Sequence, residues 1–309
     1  MRHGILIINK ERGMTSHQVV AILRRILKQS EVGHTGTLDP EATGVLVVGL
    51  GQATRSFSFL NEKSKVYRGE IILGQSTDTQ DATGQILQEQ PKTILSLEDL
   101  QKGMMGLTGK LNQIPPMYSA VKVHGQKLYD LARKGLTIDR QPRGIEVQKW
   151  EILNSKETYG FKESVFVEIT CSKGTYIRTL IHDLGTGLGT GAHMGSLKRL
   201  RSGKFSLDHS LKIAEVEEHL AAGTLESHLI SVRGALDHLF TLQPSMDDVS
   251  KVLHGGKLSF QKYPSESTID SLAKVLDQSL EVIAVVQLKQ DNTGSYLYWQ
   301  PVKVFHYLF

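Results

Sequence analysis

Residues 164–184 read Ser164-Val165-Phe166-Val167-Glu168-Ile169-Thr170-Cys171-Ser172-Lys173-Gly174-Thr175-Tyr176-Ile177-Arg178-Thr179-Leu180-Ile181-His182-Asp183-Leu184. The first eight alternate: Val165, Val167, Ile169 and Cys171 share one face, and Phe166, Glu168 and Thr170 the other, as in a half-buried strand. After a Gly-Thr turn the period changes. Ile177, Leu180, Ile181 and Leu184 stand at helical spacing, and Gly185 is read as the helix end. Working towards the N-terminus, residues 96–107 read as a capped helix and residues 66–73 as a strand ending at Gly74. Thr15 and Gln18 make a capping box ahead of the apolar face Val19, Val20, Leu23, Ile26 and Leu27. Towards the C-terminus, residues 282–288 and 295–305 read as strands around the turn Asp291-Asn292-Thr293-Gly294. Helices and hairpin-like strands without a repeating strand–helix order predict an α+β fold. A change of texture near residue 240 marks a small β-rich module of about 70 residues at the ordinary spacing of domains.

With 309 residues, of which 39% are apolar, the chain is long enough to bury a sizeable core. Its single cysteine, Cys171, excludes an intramolecular disulfide framework and a cysteine-rich zinc site. The apolar run at residues 5–8, followed by Lys10 and Arg12, is too short for a signal peptide, and residues 45–50 are too few to span a membrane. The expectation is a soluble, cytoplasmic protein. A net charge of +4 is mild, and its distribution says more. Residues 191–205 carry Lys198, Arg199, Arg201 and Lys204 with no acid. Residues 121–143 carry Lys122, Lys127, Arg133, Lys134, Arg140 and Arg143 against Asp130 and Asp139. An acidic stretch follows over 208–237. Two basic patches suit a polyanion-binding body, and equally a solvated surface. The module after 240 is not basic, so a nucleic-acid contact there would come from placed groups.

The most unusual local stretch is Gly33-His34-Thr35-Gly36-Thr37-Leu38-Asp39-Pro40-Glu41-Ala42-Thr43-Gly44. It lacks the Gly-Lys-Ser/Thr of a phosphate-binding loop. Pro40 biases Asp39 towards an extended conformation, which projects the carboxylate from a stiff loop. Asp39 is then either a nucleophile or acid–base group, or the cap of a helix opening at Pro40 or Glu41. His34 has no metal-ligand spacing with another histidine and reads as structural. Arg178 falls off the apolar helical stripe and sits in the first turn, where the helix dipole gives a cation nothing; it is either exposed or paired with an anion. Tyr67 reads as a core or strand-end aromatic.

Five ordered motifs carry a resemblance. Residues 33–44 resemble the catalytic loop of the TruB family of tRNA pseudouridine synthases. Residues 4–17 (GILIINKERGMTSH) resemble the family's opening motif, with Glu11 where that motif usually has proline. Residues 65–69 (KVYRG) resemble its tyrosine strand, 113–122 (QIPPMYSAVK) its RNA-binding insertion, and 171–180 (CSKGTYIRTL) its arginine motif. The resemblance implies a pseudouridine synthase fold over residues 1–235, with a central mixed, mainly antiparallel sheet and an insertion at about 110–145. A small β-barrel-like PUA domain over 240–309 is implied as well. It implies isomerisation of uridine to pseudouridine at position 55 in the T loop of tRNA, with no cofactor and no metal. By the same carry-over Asp39, Arg178 and Tyr67 are catalytic. His34, Tyr176, Leu197 and Lys10 contact substrate, His34 by entering the space left by the extruded base. Residues 122–129 resemble the stand-alone bacterial form, a monomer with no obligate protein partner, rather than the relative that works in a guide-RNA particle. An RNA-binding or tRNA-folding factor with secondary or lost catalysis is the alternative.

Overall fold

A computed structural model describes residues 1–307 apart from Ala120, His124 and Arg133; of Lys122 and Lys127 only the backbone is described. The parts of the 121–143 basic patch carried by Lys122, Lys127 and Arg133, and His124 of the stand-alone signature, therefore lie outside the described residues.

Nine strands form the main sheet: β1 (Gly4–Lys10), β2 (Val32–Thr35), β3 (Thr43–Leu50), β4 (Ser64–Leu73), β5 (Gly109–Gln113), β6 (Arg143–Ile152), β7 (Ser164–Ser172), β8 (Ala192–Ser202) and β9 (Phe205–Ser206). Their order is β1-β3-β8-β4-β7-β6-β5, with β2 beside β3 and β9 beside β8. Every pairing is antiparallel except β8 with β3, where Lys198 lies opposite Thr43 and Arg199 opposite Gly44. This is the mixed, mainly antiparallel sheet that the resemblance implies.

Burial explains which segments became strands. β1 and β3 are apolar on both faces, so Ile5 and Ile7 enter one core while Leu6 and Ile8 enter another, under Val19 and Leu23 of α1 (Ser16–Leu27). In β7, Val165, Val167, Ile169 and Cys171 are all fully buried and Phe166 faces out, as the alternation predicts. β4 buries Lys65, Tyr67, Gly69, Ile71 and Leu73 on a single face, two of them polar. The predicted cap of α1 forms, with Thr15 accepting from the Gln18 N–H and its own N–H donating to the Gln18 side chain. Ser96 likewise caps α2 (Leu97–Gly106). The helix after β7, α3 (Ile177–Gly187), runs past Gly185. That glycine does not end the helix. It lets the helix approach β8, where a Cβ would collide with the Ala192 backbone.

A second sheet holds β10 (Phe240–Leu242), β11 (Leu258–Ser259), β12 (Leu272–Leu276), β13 (Val282–Gln290) and β14 (Leu297–Val304) in the order β10-β12-β13-β14-β11. It has a core of its own around Val252, Val275, Val286 and Trp299, whose indole N–H donates to the Tyr263 carbonyl at 3.0 Å. The five strands make a half-barrel consistent with a PUA-like unit. Val282, Val285 and Phe305 pack instead with Ile5, Ile7, Val45 and Val47, so the two sheets share one apolar cluster. Among the described residues no helix is long and apolar enough to cross a membrane.

Candidate active site

The 33–44 stretch leaves β2 at Thr35 and re-enters the sheet at Thr43 as β3. No helix opens at Pro40 or Glu41; there is only a tight turn, closed by the Ala42 N–H donating to the Asp39 carbonyl at 3.1 Å. The capping alternative for Asp39 is thereby removed, and three buried side chains hold the loop from behind. Lys10, at the end of β1, donates to the carbonyls of Met14 (2.6 Å), Pro40 (2.9 Å) and Glu11 (3.0 Å). Ser16, at the start of α1, bonds both the N–H and the carbonyl of Leu38. Arg199, on β8, donates to the carbonyls of Gly36 (2.6 Å) and Val45 (2.7 Å).

The loop so held aims Asp39 at Arg178. The guanidinium Nη2 lies 3.2 and 3.3 Å from the two carboxylate oxygens of Asp39 and donates to the Tyr118 carbonyl at 2.6 Å. Nη1 stands 3.7 Å from Asp81. Arg178 is only 5% exposed, whereas 39% of the Asp39 side chain is open to the pocket. Arg178 is therefore not a surface arginine: a cation off the apolar stripe is buried because two carboxylates and a carbonyl replace its water. The pair does not hold Asp39 below the ordinary carboxylate range, however. Removal from water pushes its pKa up, Arg178 pulls it down, Asp81 pushes it up again, and the net direction is upward.

Asp39, Arg178, Tyr67, Tyr176 and Leu197 line one cavity of about 390 Å³. Tyr67 is 7% exposed, accepts from the Arg199 guanidinium, and has its phenol pKa raised by burial, so it stays protonated at neutral pH. Tyr176 caps α3, and its backbone N–H and carbonyl are both bound by the amide of Gln113. Two of the candidate residues do not line this cavity. Lys10 has no exposed surface and its ammonium is enclosed by three carbonyls, so it supports the loop instead of touching substrate. His34 stands outside the cavity lining, edge-on to His17 with ring centroids 5.2 Å apart. Burial above all, then His17 and Arg199, lower its pKa to about 4, so the ring is neutral.

Two of the four cations in the basic patch at 191–205 are engaged within the protein, while Arg201 is exposed. Arg199 is 1% exposed, and Lys204 pairs with Asp237 at 2.7 Å and donates to the Gly234 carbonyl. Asp81 carried no sequence signal for the site, and Gln113 and Ser16, though inside the 113–122 and 4–17 motifs, were not singled out. Asp81 follows a turn in which its carboxylate accepts from Thr79 and Thr83, and only the fold brings it to Arg178. Among the described residues no group of three or more His, Cys, Asp or Glu side chains could hold a metal ion.

Known proteins match this chain over nearly its whole length. Residues 24–177 match the family model for the N-terminal domain of TruB family pseudouridylate synthases, and residues 178–241 match that for the tRNA pseudouridylate synthase B C-terminal domain. A tRNA pseudouridine synthase B from Bacillus subtilis is 42% identical over 286 residues, 92% of this chain and 93% of that one. One from Bacillus licheniformis is 43% identical over 297 residues (95% and 96%), and one from Listeria monocytogenes 39% over 303 (98% of each). Among solved structures, a chain of a Cbf5-Nop10-Gar1 complex superposes with a TM-score of 0.72 at 25% identity, covering 98% of this chain and 84% of that one. A chain of an H/ACA RNP bound to a substrate RNA containing 2′-deoxyuridine gives the same TM-score at 24% identity, covering 98% and 85%. By the family models and by identity across almost the full length of these relatives, the chain is a pseudouridine synthase of the TruB family.

Proposed function

We propose that this chain isomerises uridine to pseudouridine at position 55 in the T loop of tRNA, acting as a single protein, with Asp39 as the essential carboxylate. The observation that carries the reading is the Asp39–Arg178 pair facing Tyr67 and Leu197 across a cavity of about 390 Å³. That volume lies in the range of small-ligand pockets, and a base extruded from the T loop must enter one of this kind.

The reaction breaks the N1–C1′ bond, turns the uracil, and forms a C5–C1′ bond, while the C5 proton is lost and N1 gains one. Electrons balance within the substrate. Attack of a carboxylate on the base, attack on C1′, and removal of a ribose proton all need Asp39 ionised and close. Arg178 supplies the cation that keeps it so, and its own charge is balanced on the far side by Asp81. Tyr67 stacks on the uracil, Leu197 and Tyr176 close the pocket, and His34, neutral and edge-on to His17, enters the space the base vacates. The PUA-like unit contacts the same RNA.

Tritium release from C5-labelled uridine in a T-arm stem-loop tests the reading, wild type beside Asp39→Asn. Release by wild type alone is expected. Salt-sensitive binding without release would turn the reading towards an RNA-binding factor, and release by both proteins would remove Asp39 from the chemistry.

A further inference from the structure

Lys10, Lys65 and Lys274 are the buried lysines among the described residues, and two of them are fully used. Lys10 donates to three carbonyls, and Lys274 to those of Leu236 (3.0 Å), Asp237 (3.5 Å) and Leu239 (2.7 Å). Lys65 is 8% exposed and, among the described residues, has no hydrogen-bond acceptor or ion-pair partner. Its ammonium lies against the bare α-carbon of Gly36, where a Cβ would come within 2.7 Å of Nζ. The acid that faces it, Glu62, is engaged by the hydroxyls of Ser202 and Thr35, each at 2.7 Å.

Lys65 opens on two cavities at once. One is the 390 Å³ pocket of Asp39 and Tyr67; the other is a chamber of about 880 Å³ beside it. Arg143 lines both, and Lys63 and Lys173 line the larger. The charged and titratable groups facing Lys65 are Arg199 from β8, Glu62 from the loop before β4, the Cys171 thiol from β7 and Lys173 from the turn after it. A desolvated ammonium among other cations, with its nearest carboxylate already hydrogen-bonded, is a costly arrangement unless an anion completes it.

We infer that Lys65 binds a backbone phosphate of the RNA next to the extruded uridine. The inference rests on the RNA-modifying reading above. Lys65 and Tyr67 share the buried face of β4 two residues apart, which sets them about 6.7 Å from each other along the strand. With the uracil on Tyr67, Lys65 therefore faces the sugar–phosphate chain beside it. The charges that act on Asp39 are those of Arg178, Asp81 and Lys10, so Lys65 serves the backbone and not the reacting carboxylate. Lysine suits the task as a compact point charge that needs a single oxygen.

The test replaces T-arm phosphates one at a time by neutral methylphosphonate and measures affinity and tritium release for wild type, Lys65→Met and Lys65→Arg. In wild type one position should cost about tenfold in affinity, the size of one charge-assisted hydrogen bond. That position should cost Lys65→Met nothing further, and the salt dependence of its binding should be shallower by about one charge. Lys65→Arg should keep the penalty. Burial lowers the Lys65 pKa to about 8, so wild-type affinity should fall between pH 7 and 9, and Lys65→Arg should lose that fall. Every penalty persisting in Lys65→Met, or a flat wild-type profile from pH 7 to 9, overturns the inference. If Lys65→Met does not fold, the arginine variant and the pH profile decide. Wild type that binds but releases no tritium would sink the isomerase reading while leaving this binding cycle readable.

Discussion

Lys10 reaches across thirty residues of sequence to the carbonyl of Pro40, at 2.9 Å, and so ties the end of the first strand to the residue after Asp39. The opening segment of the chain thus acts on the site from below. Lys10→Met should lower stability by about 2–3 kcal/mol, because three carbonyls lose a charged donor. In kinetics it should reduce kcat more than it raises KM for a T-arm substrate. A rise in KM at constant kcat would mean that Lys10 meets RNA after all.

Arg178 is shared between two carboxylates, and the sharing has a sign. In the chemistry proposed above Asp39 acts ionised, and its pKa is raised, so the acid limb of kcat/KM should lie above the ordinary carboxylate range. The Asp81 charge is one cause of that rise. Asp81→Asn should therefore move the acid limb to lower pH, whereas Arg178→Gln should move it higher and cost roughly 100-fold or more in rate at neutral pH. A pH–rate profile of tritium release for the two variants checks this. Shifts in the same direction would show that the pairing does not govern Asp39.

His34 should contribute through shape and not charge. With its pKa lowered to about 4, its ring gains no proton between pH 5.5 and 8, so RNA binding should show no histidine titration there that His34→Ala removes. The alanine variant should lose about tenfold or more in kcat/KM while melting close to wild type, since the ring is not part of an apolar cluster and its buried Nδ1 has no partner. An unchanged rate at low substrate would remove His34 from base extrusion.

Gly44 has φ +94° where β3 begins to pair with β8, and a Cβ there would run into the Arg199 carbonyl oxygen. Gly44→Ala should destabilise by at least about 2 kcal/mol, from backbone strain and a parallel pair forced apart. Because Arg199 also holds Gly36, the remaining folded protein should be slow as well as unstable. Denaturation together with single-turnover rates would separate the two effects.

What the sequence disclosed was periodic or local. The alternation of β7, the stripe of α3, the capping box at Thr15 and the capped helix after Ser96 depend on neighbours within four residues, and the structure has all of them. The resemblance carried five of its seven candidate residues into one cavity wall. What stayed hidden was tertiary. Arg199 looks like a surface cation because its acceptors Gly36 and Val45 lie more than 150 residues away, and Lys10 because the Pro40 carbonyl that completes its site lies thirty residues on. Arg178 was ambiguous for the same reason, its partner Asp39 lying 139 residues away. Asp81 sits among other polar residues and acquires meaning only where its turn meets α3, and Gln113, though it opens a recognised motif, shows its role only where it binds the Tyr176 backbone. Gly185 reads as a stop because a terminating glycine and one required by a neighbouring strand look alike in sequence.

The apolar cluster joining Ile5, Ile7, Val45 and Val47 to Val282, Val285 and Phe305 bears on how the C-terminal unit can be studied. β1 ends at Lys10 and β3 starts at Thr43, two of the points that hold the Asp39 loop, so the unit roofs strands from which that loop hangs. Cutting the chain near residue 240 would bare this greasy underside and slacken both points together. A truncated protein that lost activity would thus be reporting a sagging scaffold, and the RNA contact proposed for the C-terminal half-barrel is better measured by changing its outward side chains one by one with the roof left in place.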